Sequence, residues 1–186
     1  VTGVQTCALP ISVDELHRRA DEVHQLGDAL CHRLSIQVMS INAQILGHWL
    51  PDARQVQSWG ELATATGGGT ITIVDPGFLA VPETEPDPLG LPKSWEVTSD
   101  SLAAGLAMRL GIEEVVLLKS RQPPSTDLEE LTRQGYLDAY FLQAARGLRV
   151  RPVALAESGM QETCWPIPAS TGCRMQRKTS GLNGVP

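Results

Sequence analysis

The chain has 186 residues, 42% of them hydrophobic, and a formal net charge of −6; this is enough for one domain with a core, and the acidic balance gives a nucleic-acid partner no support. No apolar run approaches the roughly 20 residues that a membrane-spanning helix needs, so no membrane partner is expected. The four cysteines, Cys7, Cys31, Cys164 and Cys173, show neither metal-ligand spacing nor the density of a disulfide scaffold, which predicts a reduced, cytoplasmic setting.

Residues 1–11, from Val1 to Ile11, read as foreign to the rest of the chain. They match the in-frame translation of a sequencing-adapter oligonucleotide, and they lack the basic start and apolar centre of a targeting peptide. Residues 1–12 are therefore set aside, and the expected organisation is a domain over 13–155 and an irregular tail over 156–186.

Val13, Leu16, Ala20, Val23, Leu26 and Leu30 recur at helical steps and predict an amphipathic helix over 13–34. His17, Asp21, His24 and Asp28 fall on its opposite, solvated face. A second helix is predicted over 35–49, with Ile36, Met39, Ala43, Leu46 and Leu50 on one side. A short strand over 53–57 and a short helix capped by Ser58 come next. Gly67-Gly68-Gly69 precedes a strand instead of following one, so it reads as a turn and not a phosphate loop. Ile71 and Ile73 alternate with threonines as in a half-buried strand, closed by the turn Asp75-Pro76-Gly77. Pro82, Pro86, Pro88 and Pro92 mark a stiff loop with lid character, and its acids Glu83, Glu85 and Asp87 read as solvated.

The central stretch is Thr98-Ser99-Asp100-Ser101, a polar cluster at the mouth of an alanine-rich helix over 101–110. Ser, Thr and Asp suit such a mouth because their oxygens accept from the unpaired N–H groups of the first turn. The same mouth presents donors and a positive dipole end to an anion. Gly111 is a natural stop. Val115 to Leu118 reads as a buried strand ending in Lys119-Ser120. The repeating pattern predicts an α/β chain with a parallel sheet covered by helices on both faces. A helix capped by Thr126 or Asp127 runs to Arg133, another helical stretch starts at 135–138 and reaches Arg146, and a last strand over 148–155 is placed at an edge by Pro152. On residues alone, Asp100 is a helix cap before it is anything else. Lys119 is as readily a surface charge as a phosphate ligand, Asn42 an exposed or helix-bonding side chain, and Trp95 a core filler or a pocket wall.

Trp95-Glu96-Val97-Thr98-Ser99-Asp100-Ser101-Leu102-Ala103-Ala104, with Val116-Leu117-Leu118-Lys119-Ser120, resembles the amino acid kinase superfamily, in particular its aspartate/glutamate/uridylate kinase-like branch. The resemblance covers roughly residues 13–155. It implies a three-layer α/β/α sandwich with a mostly parallel central sheet, incomplete at the N-terminus. It further implies ATP- and Mg2+-dependent phosphoryl transfer to a small anionic metabolite by a cytoplasmic homo-oligomer. Asp100 is the implied catalytic residue, orienting lysines near the transferred group. Thr98, Ser99, Ser101, Lys119 and Ser120 are the implied cofactor contacts and Asn42 a substrate contact, with no protein residue assigned to a metal. Two departures stand out. Arg121-Gln122-Pro123-Pro124 replaces the Asp-Gly pair many relatives carry there. The first strand, glycine-rich loop and lysine expected upstream do not occur before residue 13, so impaired turnover is expected. The alternative is a non-catalytic nucleotide- or oxyanion-binding protein of the same fold.

Overall fold

The computed structural model describes residues 2–6, 11–65, 69–156 and 159–162, and the chain is an α/β mixture. Its main sheet is built around β4 (Glu114–Lys119), whose Val115, Val116 and Leu117 are all buried. Such an uninterrupted apolar run is what a strand covered on both faces requires. On one side of β4 lies β1 (Thr2–Thr6) and on the other β5 (Arg149–Ala156), both parallel to it, with Val4 opposite Val116 and Leu117 opposite Pro152. A fourth strand, β6 (Gly159–Glu162), pairs antiparallel with β5.

Three features of this sheet differ from the sequence expectation. Residues 2–6, read from the sequence as foreign to the fold, form a strand; ladder bonds join main-chain groups, so pairing makes few demands on side-chain identity. Pro152 does not put its strand at an edge, since β5 lies between β4 and β6. The β5–β6 ladder starts at Val153, next to the proline, so on that side no described bond needs the missing N–H. Regular structure also extends past 156, through β6; residues 163–186 lie outside the described residues.

The remaining strands, β2 (Arg54–Val56) and β3 (Thr72–Val74), pair parallel in a two-stranded sheet that is separate from the main one among the described residues. β3 is cut short by a 3-10 turn over Pro76–Leu79, where Asp75 accepts from the Gly77 N–H at 2.9 Å. Ile71 falls just before β3 and is 63% exposed, whereas Ile73 is buried. The short helix between these strands, α3 (Trp59–Ala65), has Ser58 at its mouth as expected, accepting from the Glu61 N–H at 3.3 Å. Of the triple glycine, only Gly69 is described, at φ +70°.

The first two helices divide at a different place from that expected. α1 (Ile11–His24) ends ahead of Gln25 and Gly27, both at positive φ, and α2 (Asp28–Trp49) runs unbroken through 34–35. Glycine adopts this conformation at little cost, and Asp21 accepts from its N–H at 2.9 Å. The break splits the apolar stripe: Ile36 and Ala43 of α2 are buried, but Leu16 and Val23 of α1 are 65% and 73% exposed.

α4 (Ser99–Leu110) lies between two apolar clusters and starts two residues earlier than the expected Ser101. Its Ala104 and Ala107 pack with Val115, Leu117, Leu131 and Phe141, and its Leu102 packs with Ile36, Leu79, Leu91 and Val97. Gly111 closes it in the left-handed conformation. Beyond β4, α5 (Leu128–Arg133) is capped by Asp127, which accepts from the Glu129 and Glu130 N–H groups. Gly135, at φ +64°, turns the chain out of that helix. The helical stretch expected up to Arg146 shrinks to one turn, α6 (Phe141–Ala144), and Asp138 lies outside any helix.

Candidate functional site

The site forms where the first turn of α4 meets the carboxyl end of β4, the end at which parallel α/β sheets commonly hold ligands. Asp100, 2% exposed, enters from α4. Lys119, the last residue of β4, directs its Nζ to Asp100 Oδ2 at 2.6 Å. The other carboxylate oxygen, Oδ1, is buried and makes no close hydrogen bond, though the Asp138 main-chain N–H is near enough to the Asp100 carboxylate to favour its charged form. Burial lifts the Asp100 carboxyl above its ordinary range, and the neighbouring Lys119 ammonium opposes that rise.

Lys119 is bounded on another side by Tyr136, whose ring centroid lies 5.5 Å from Nζ. The Arg121 guanidinium stands 5.6 Å from the same ring. The Tyr136 hydroxyl donates to the Arg121 carbonyl at 3.0 Å, and burial pushes its phenol up to about 12. One aromatic ring therefore draws two cations to the end of β4.

The mouth of α4 is filled by a side chain that sequence reasoning had placed in a helix. Asp138 Oδ2 accepts from the Ser101 N–H at 2.8 Å and from the Thr98 N–H and hydroxyl, each at 3.1 Å. Asp138 Oδ1 accepts from the Ser101 hydroxyl. Thr98 makes no capping bond to the helix from its own side chain. The carboxylate of Asp138 thus takes the place that a bound anion would occupy at a helix N-terminus.

Of the residues expected at the site, the structure brings Thr98, Asp100, Ser101 and Lys119 together, with Ser99 buried in the same turn. Ser120 follows Lys119 and is exposed, and Asn42 sits half-buried on α2, further along that helix than Ile36. Trp95 is half-buried in the segment leading to α4. Asp138 and Tyr136 were missed as site residues. The contacts from Asp138 span 37 and 40 positions, so no local spacing marks them; the one signal was Gly135, which argued for a turn ahead of Asp138.

The proline-rich loop is braced by bonds within itself and meets α4 through Leu91, which packs with Leu102. Lys93 Nζ donates to the Pro82 carbonyl and, at 2.6 Å, to the Glu85 carbonyl. Asp87 is not simply solvated, since it accepts from the Leu89 and Leu91 N–H groups at 2.8 and 3.0 Å. Beneath, His32 of α2 donates through Nδ1 to the Val97 carbonyl at 3.1 Å, while its Nε2 is buried without a partner. Burial lowers the His32 pKa. Among the described residues no group of three or more His, Cys, Asp or Glu is placed to hold a metal ion, including the His17, Asp21, His24 and Asp28 face. No helix among them is long and apolar enough to cross a membrane. No model of a known protein family matches the chain, and no curated protein matches it.

Proposed function

We propose that this chain carries a phosphoryl-transfer site of the amino acid kinase type, acting with ATP and Mg2+ on a small acceptor bearing a carboxylate, phosphate or similar anionic group. The observation that carries the reading is the Asp100–Lys119 pair, 2.6 Å apart at the junction of α4 and β4. A carboxylate nearly removed from water holds an ammonium in one place, and phosphoryl transfer depends mostly on such placement of charge. Lys119 and Arg121 are the cations suited to a polyphosphate there. Magnesium would arrive with the nucleotide, keep most of its waters and need no dedicated protein cage, and when bound it would neutralise phosphate charge. The fuller fold belongs to the same proposal: a three-layer α/β/α sandwich, in a cytoplasmic homo-oligomer.

The test is ADP release by the purified chain over a panel of carboxylate and phosphate acceptors. Release above background, even if slow, that drops at least about a hundredfold in Asp100→Asn supports the reading, and no release with any acceptor removes it. A second reading has its own observation. Asp138 already occupies the α4 mouth, and Arg121-Gln122-Pro123-Pro124 follows β4, which suits a nucleotide- or oxyanion-binding protein without turnover. Calorimetry showing ATP binding with no ADP release selects it.

A further inference from the structure

We propose that Asp138 is the positioning residue of the Asp100–Lys119 pair. It rests on the phosphoryl-transfer reading only for what the pair is positioned to do. Two observations converge on one short segment. The Asp138 carboxylate collects four donors from Thr98 and Ser101, the residues that bracket Asp100 in the first turn of α4. Two positions earlier, the Tyr136 ring lies against the Lys119 ammonium. The same segment is tied to the chain ahead of α4 by the Tyr140 N–H, which donates to the Glu96 carbonyl at 3.0 Å.

One stretch of chain therefore holds both halves of the pair, the turn that carries Asp100 and the ring beside Lys119. The arrangement depends on Gly135, which ends α5 and leaves Asp138 out of helix, its carboxylate turned to a helix it does not belong to. A capping carboxylate at the helix's own N-cap position would secure the first turn equally well. Only a carboxylate from the Tyr136 segment also fixes that turn relative to Lys119. Ligand binding is affected as well. The donors of the α4 mouth are already engaged by a negative group, so an incoming phosphate meets repulsion there and is directed to Lys119.

The experiment is site-resolved acylation of lysines in the full chain at mildly alkaline pH, read by peptide mass spectrometry. Asp138→Ala and Asp138→Asn are compared with wild type, and Asp75→Ala is the control. Asp75 is a buried carboxylate that accepts from Gly77 and Ser40, away from this site, so its loss disturbs stability without touching the pair. The expected result is a Lys119 labelling rate raised about tenfold in Asp138→Ala, the factor that corresponds to about 1.4 kcal/mol of lost restraint. A smaller rise is expected in Asp138→Asn, which keeps one accepting oxygen, and none in Asp75→Ala. A folded Asp138→Ala protein labelled at the wild-type rate overturns the proposal. If circular dichroism shows Asp138→Ala to be unfolded, an unchanged rate in Asp138→Asn overturns it instead. Labelling needs no turnover, so a wild type that releases no ADP counts against the phosphoryl-transfer reading and leaves the positioning result standing.

Discussion

Replacing Lys119 by Met leaves a buried carboxylate without its cation. The Asp100 and Lys119 side chains are only 4% and 14% exposed, so solvent screens the pair little. Removing one member of such a pair costs about 3–5 kcal/mol, and losing the contact with the Tyr136 ring adds about 0.5–1 kcal/mol. Protonation sets a ceiling on this cost. Burial already lifts the Asp100 carboxyl, and Lys119 is the principal group holding it down, so in the variant it rises further. Folded protein then retains a proton that the unfolded chain, with its carboxyl near 3.8, has released. Stability of the variant therefore falls as pH rises from the unfolded value through the folded one and is level above it. Urea unfolding of both proteins at about pH 8 and about pH 5 reads the effect, with an expected midpoint loss of about 2 M at the higher pH and a smaller loss at the lower. The double variant Asp100→Asn/Lys119→Met should recover most of the deficit, because it removes the stranded charge. A deficit below about 1 kcal/mol at the higher pH, or one equal at both, refutes the argument that Asp100 is held ionised in a dry site by Lys119.

The packing around α4 gives two more expected outcomes. A Cβ at Gly105 would come within 3.1 Å of Leu91 Cδ1 and 3.3 Å of Leu89 Cδ1, so Gly105→Ala trades about 1 kcal/mol of helix propensity against about 1–3 kcal/mol of crowding; a thermal melt should show a net loss, and a raised midpoint defeats the packing argument. His32 has a lowered pKa in the folded protein, so its contribution to stability is lost as pH falls through its unfolded value near 6.5 towards the folded one. Between about pH 7 and about pH 5, the wild type should lose more stability than His32→Gln, and equal losses would detach His32 from the acid response.

What could be read in the sequence was whatever depends on neighbours along the chain. The apolar run Val115–Leu118 specified a buried strand, and Gly111 and Asp127 marked a helix end and a helix start where the structure has them. The polar cluster at 98–101 announces a helix mouth, and local pattern alone puts Asp100 in that mouth and Lys119 at the end of a strand. Tertiary structure alone decided what the mouth holds. Asp138 reaches it across 37 positions, and its reach depends on Gly135 leaving helical geometry, a choice that hydrophobic periodicity does not record. It also decided that β2 and β3 stand apart from the main sheet and that β5 lies inside it. Strand adjacency is set by which edges come together in space, and the main-chain groups that form those edges are alike in every residue except proline. The chain's pattern can therefore name its strands and its charged groups, while only the folded arrangement assigns each its partner.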